Sequence, residues 1–202
     1  MRNLILVSTI AFFAACAEDV GKGKAEATVA DVPAAPTEAA PAATEAPAAP
    51  AAESKTFAVD ATRSKLGAVG AKVTAHHPID LKNYTASVTL AGDQLVGLEY
   101  AAEMATLESD HPKLTEHLKD VDFFDVAKFP TSTFKAVSVK PGASGEGSEG
   151  MTHTVEGDLT IRGTTKRVTF PAKIEVKPEA VEASTEFSVN RQDFGIVYAG
   201  KA

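Results

Sequence analysis

Apolar and polar residues alternate with a period of two through most of the chain beyond residue 55. In RVTFPAKIEV, Val168, Phe170, Ala172, Ile174 and Val176 fall on one face, against Thr169, Lys173, Glu175 and Lys177 on the other. AVEASTEFSVN repeats the pattern with Val181, Ala183, Thr185, Phe187 and Val189. TVEGDLTI aligns Val155, Leu159 and Ile161; YTASVTLA aligns Tyr84, Ala86, Val88 and Leu90; LVGLEYAAEM aligns Val96, Leu98, Tyr100, Ala102 and Met104. This period predicts half-buried strands with one dry and one wet face. Gly92-Asp93, Arg162-Gly163 and Lys177-Pro178-Glu179 suit the turns of hairpins. One stretch, SDHPKLTEHLKDVDFFDVAKFP, breaks the alternation. Ser109 or Asp110 is placed to cap a helix, Pro112 suits its first turn, and Leu114, His117, Leu118 and Val121 keep helical spacing.

These elements predict an all-β, antiparallel domain of about eight strands with one short helix on a long crossover. A two-layer sandwich would satisfy the pattern. A closed barrel is preferred, because closure removes the sheet edges and leaves one amphipathic surface to cover. Its inward faces would form either a filled core or room for one apolar ligand.

Composition divides the chain into three parts. Residues 1–15 carry one basic residue, Arg2, and then an apolar run, Leu4 to Ala15, with the features of an export signal and too short to span a bilayer, which takes about 20 residues. The single cysteine, Cys16, follows Ala14 and Ala15 and resembles the lipidated cysteine of bacterial lipoproteins, with Phe13 where Leu is usual. Residues 16–54 are rich in Ala and Pro and have no aromatic, Ile or Leu, so they are expected to be a disordered linker. Residues 55–202 form the β domain. Ala17, rather than Asp, after the cysteine resembles an outer-membrane address. The net charge of −7 argues against nucleic acid as a partner and against electrostatic binding to anionic lipid.

Three segments in order, HLKDVDFFDVAKFPTSTF, VEGDLTIRGTTKRVTFP and FSVNRQDFGI, together resemble the YceI-like proteins, with the likeness running from about Thr56 to Tyr198. That resemblance implies an exported, lipocalin-like antiparallel barrel with an apolar tunnel. It also implies binding, storage or transport of a polyisoprenoid, a quinone tail or a fatty-acid-like chain. The lining residues expected on that basis are Leu98, Tyr100, Met104, Phe134, Leu159, Ile161, Phe170, Ile174 and Phe187. Family members usually continue past the DFG motif into a closing strand, whereas this sequence reaches Ala202 eight residues beyond Phe194, so the expectation is either a truncated sequence, with the barrel one strand short, or a barrel that closes differently.

The chemistry-bearing residues point away from catalysis. There is no GxSxG, no HExxH and no phosphate loop, and the cysteine belongs to the anchor. His76, His77, His111 and His117 lack metal-binding spacing and are expected to be solvated or hydrogen-bonded, so neither metal nor cofactor is expected. Phe123, Phe124 and Phe129 suit a cap on the core better than a gate over a tunnel mouth. In the polar knot Asn190-Arg191-Gln192-Asp193, Arg191 suits a clamp on loop carbonyls, with a ligand headgroup as the sharper alternative. Three readings stand: a non-enzymatic lipid carrier, a filled-core envelope or stress protein, and an enzyme acting on a bound isoprenoid. The almost purely apolar inward faces disfavour the last. The expected partners are an apolar lipid such as a polyisoprenoid or quinone and, through the anchor, a membrane facing the periplasm; a homodimer stays open.

Overall fold

The computed structural model describes residues 7–14, 24–32, 54–72, 75–144 and 147–198. In chain order the strands are β1 (Val7–Ala14), β2 (Ala25–Glu26), β3 (Thr28–Asp31), β4 (Ser54–Ala58), β5 (Lys65–Lys72), β6 (Ala75–Leu81), β7 (Tyr84–Ala91) and β8 (Gln94–Glu103). A 3-10 turn, Met104–Thr106, leads into β9 (Leu107–Ser109) and the helix α1 (Pro112–Lys119). Then follow β10 (Thr131–Pro141), β11 (His153–Ile161), β12 (Thr164–Val176), β13 (Val181–Val189) and a second 3-10 turn, Arg191–Phe194.

The fold is all-β with one short helix, as the alternation predicts, and mostly antiparallel. Among the described residues the strand count is thirteen rather than about eight, and the ladder does not close. Its order is β4-β7-β8-β10-β11-β12-β13-β1-β5-β6-β9, with β4 and β9 at the ends. The reason is local. The edge strand β9 has three residues, after which Pro112, which has no N–H to donate, turns the chain into α1. Two corners hold the layers together without closure. One is β12, whose first nine residues pair with β11 and whose last four pair with β13. The other is covalent: β8, paired with β7 and β10, runs through the Met104–Thr106 turn into β9, which pairs with β6.

Beyond the four pairs at their hairpin, β12 and β13 separate. The gap is filled by residues 24–32, a segment the composition assigns to the disordered linker. β2 pairs parallel to β13 at Phe187 and Ser188, and β3 pairs antiparallel to β12 from Lys166 to Thr169. Ala25 and Ala27 are buried. The place on the other edge of β13 is taken by β1, which lies parallel between β13 and β5, with Val7 opposite Glu182 and Ala14 opposite both Val189 and Gly70. Its residues are those expected to be the apolar core of the export signal. Cys16 and residues 33–53 lie outside the described residues.

Two bulges shift the alternation. Between β7 and β8 the register changes at Thr89/Leu90, so Leu95 turns inward and Val96, expected inside, is 42% exposed. Between β10 and β11 it changes at Ala136/Ser138, and Val137 is 54% exposed. The helix also differs in detail. Its N-cap is His111 rather than Ser109 or Asp110, with Pro112 at the first position, and it stops at Asp120, which leaves Val121 outside it and exposed. No helix among the described residues is long and apolar enough to cross a membrane.

Candidate functional site

The inward faces of the strands meet in one apolar core. Leu98 and Tyr100 of β8, Met104 of the turn, Phe134 of β10, Leu159 of β11, Phe170 and Ile174 of β12 and Phe187 of β13 are all buried within it, and Ile161 packs against it half-buried. The nine apolar residues expected to share a lining therefore do share one interior. Four of them form a run of ring contacts across the strands. Tyr100 stacks on Phe134 at 6.2 Å, Phe134 tilts onto Phe170 at 5.6 Å, and Phe170 stacks on Phe187 at 4.0 Å.

Gly157 makes this run possible. It occupies an inward position of β11, between the strands that carry Phe134 and Phe170, and a Cβ there would lie 2.4 Å from the Phe134 ring. The missing side chain lets the ring lie across β11. The interior's buried polar residues are few, and two of them bond to backbone carbonyls. Thr185 Oγ1 donates to the Pro171 carbonyl at 2.7 Å, where β12 and β13 part, and Ser132 Oγ donates to the Thr160 carbonyl at 2.9 Å. Burial pushes the Tyr100 phenol far above its ordinary value, partly offset by its hydrogen bond to Ser132, so it stays protonated and cannot serve as a base near neutrality.

One end of the core is capped where the chain brings together the three segments singled out in the sequence. Arg162 sits in the β11–β12 hairpin with φ 50°, followed by Gly163 with φ 71°, the left-handed pair a two-residue turn requires. Its guanidinium donates to the Gly195 carbonyl at 2.5 Å and the Val121 carbonyl at 3.0 Å, tying the hairpin to the loop after α1 and to the DFG turn. Phe129 lies against Gly163, while Phe123 and Phe124 pack on the core, so these rings act as a cap. His117, Phe123 and Tyr198 are in mutual ring contact at 4.9–5.0 Å.

Arg191 is not among the lining residues. Its guanidinium donates to the carbonyls of Ile196 at 2.5 Å and Tyr198 at 2.7 Å, the clamp role rather than an open headgroup contact. Asn190 caps the turn by accepting from the Gln192 amide, and Gly195 ends it at φ 75°. This turn drives Phe194 and Ile196 into the interior, where both are buried. Phe194 escapes a reading by alternation, because the polar knot interrupts the period just before it. Gly157 falls in the inward phase set by Val155 and Leu159, but no signal in the sequence announces the ring that lies across it.

A separate cleft of about 610 Å³ lies beside the N-terminal segment, lined by Lys24, Ala25, Glu149, Met151, Ser184 and Glu186 among others. Charged and hydroxyl groups share its walls with Ala25 and Met151, and none of the four contacting rings lines it. The histidines divide in a way the sequence does not announce. His117 belongs to the cap, and His77 reaches across to the residues just before α1, where its Nδ1 is 3.0 Å from Asp110 Oδ1.

The YceI-like domain family matches residues 52–202. A UPF0312 protein of Pseudomonas fluorescens strain SBW25 is 38% identical over 98 residues, 46% of this chain and 48% of its own. Protein YceI of Salmonella arizonae is 38% identical over 69 residues, 34% of this chain and 32% of its own. The chain thus spans about half the length, or less, of these curated relatives. The crystal structure of Burkholderia cenocepacia BcnA is similar in fold, with a TM-score of 0.51 at 21% identity over 58% of this chain and 72% of that one.

Proposed function

This chain belongs to the YceI-like family, and from that premise we propose that its domain is a non-enzymatic carrier that sequesters a long apolar lipid in its apolar interior. A polyisoprenoid, a quinone tail or a fatty-acid-like chain fits this chemistry. The observation that carries the reading is the shared interior of nine apolar residues drawn from five strands and a turn, with four aromatic rings in continuous contact. Each methylene of a bound tail removed from water contributes about 0.8 kcal/mol, so a prenyl or acyl chain needs few polar contacts. Arg162 and Arg191 are both spent on backbone carbonyls, which leaves recognition to shape and apolar area.

The domain works from a membrane in this reading. Cys16 carries the lipid anchor, the outer membrane is the favoured address, and the domain faces the periplasm. The second reading, an envelope protein with a filled core, draws on the 4.0 Å stacking of Phe170 on Phe187, since a tail entering between these rings must part them.

Native mass spectrometry with lipid extraction, on protein purified without detergent, separates the two. The carrier shows a lipid adduct that Leu98→Trp abolishes while far-UV circular dichroism is unchanged. Val96→Trp, on the exposed bulge one turn of the pleat away, keeps it. A compact, lipid-free protein, or an adduct indifferent to Leu98→Trp, overturns the carrier reading.

A further inference from the structure

His77 and His111 are separated in sequence by the β7–β8 hairpin, a 3-10 turn and β9, and share no motif, yet the ladder sets them opposite each other. β6 pairs with β9 so that Ile79 faces Ser109, Asp80 faces Glu108 and Leu81 faces Leu107. Each pair sums to the same register, and one further step of two residues places His77 across from His111, with Asp110 between. The three residues offer ligand atoms that all lie within 4.8 Å of one another. His77 Nδ1 is 3.0 and 3.1 Å from the two Asp110 oxygens, and His111 Nε2 is 3.8 Å from Oδ2. The two imidazoles meet edge to face with centroids 5.6 Å apart.

We infer that His77, Asp110 and His111 form a three-ligand site for a first-row divalent metal of the zinc and copper type. In a tetrahedral zinc site with bonds of about 2.0–2.1 Å, ligand atoms stand roughly 3.3–3.4 Å apart. The His77–Asp110 spacing is within a few tenths of an ångström of that, and the His111 ring needs a small swing about its χ angles to close the triangle. Two imidazoles and one carboxylate select zinc, copper or nickel over magnesium and calcium, which prefer oxygen ligands throughout.

The surroundings hold the ligands in place. Ser109 Oγ donates to Asp110 Oδ1 at 2.8 Å, an outer contact that orients the carboxylate. The Ser109 amide donates to Thr115 Oγ1 at 2.8 Å, pinning the approach to α1. Pro112 keeps His111 extended, at φ −126° and ψ 125°. The His111 side chain is 67% exposed and that of Asp110 34%, so an ion and its water reach the fourth position from solvent. His76, the neighbour of His77, points to the other face of β6 and takes no part.

The test uses the full chain without a histidine tag, stripped with chelator and titrated with zinc chloride against a chromophoric competitor. One zinc per chain is expected. Affinity should fall about 10- to 100-fold or more in His77→Ala and in His111→Ala, and in Asp110→Asn. His76→Ala and His117→Ala should bind as the parent does. On zinc addition the imidazole nitrogen NMR signals of His77 and His111 should shift together while that of His76 stays. This NMR readout needs no substitution, so it holds even where a variant fails to fold. No saturable uptake at micromolar zinc, or uptake equally indifferent to the loss of His77 and of His111, overturns the site.

Discussion

Gly157 is the residue whose absence of a side chain shapes the interior. Its Cβ would meet Phe134 Cζ at 2.4 Å and the Lys135 carbonyl at 2.6 Å, and backbone cannot retreat as a ring tip can. Gly157→Val should therefore cost roughly 1–3 kcal/mol, the range for overpacking a filled core. Urea unfolding measures it. Because one contact is shared, Gly157→Ala should cost less in a Phe134→Leu background than alone, and strictly additive costs would refute the packing account. At this scale the sequence reads well where a residue obeys a period and poorly where it does not. Phe170 and Phe187 are legible as inward because each sits in a strand wet on the other face. Phe194 and Gly157 acquire their places from a turn and from a neighbour's ring.

Elements show the same division. The strands β7, β8, β11, β12 and β13 follow from alternation, and the Arg162-Gly163 hairpin from its turn residues. The bulges at Val96 and Val137 do not follow, since an extra residue is defined only against the partner strand's register. Nor do β2, β3 and β9, which are two to four residues long and exist because a longer neighbour offers an edge. The cap is an assembly of elements, and Arg162 joins three of them. Hydrogen bonds from a charged donor contribute roughly 1.5–3 kcal/mol, so Arg162→Ala should loosen the loop after α1 and the DFG turn together. Hydrogen exchange should speed up by about an order of magnitude or more for the Phe123–Phe129 and Asp193–Ile196 amides at once. Arg191→Ala, whose contacts stay within the C-terminal turn, should affect the second group alone.

For the whole molecule, amphipathic period is enough to give the class, all-β with one short helix, but not the path of the ladder. Closure depends on which strands end up at the edges, and here a three-residue strand before a proline and the five-residue β4 hold those positions. The zinc cluster is illegible for a related reason: His77 and His111 come together through pairing between strands that are far apart in sequence. The proposed anchor belongs to this scale too. Cys16→Ser should move the protein from the membrane fraction to the soluble fraction of fractionated cells, and unchanged sedimentation with membranes would remove the lipoprotein proposal. The first strand bears on the order of events in the proposed export. The eight residues of β1 serve as a rung in the sheet, bonded to β13 on one side and β5 on the other. The same eight residues lie within the proposed export signal, residues 1–15, and a segment clipped off by a peptidase cannot remain a rung. Under that proposal, maturation and sheet completion compete for one stretch of chain. Once β1 is withdrawn, two facing rows of amides and carbonyls border a slot one strand wide, about 9–10 Å between flanking backbones. Such a slot is a receptor for any extended segment of complementary pattern, and a domain cleaved as proposed would hold a vacancy to be filled or shielded.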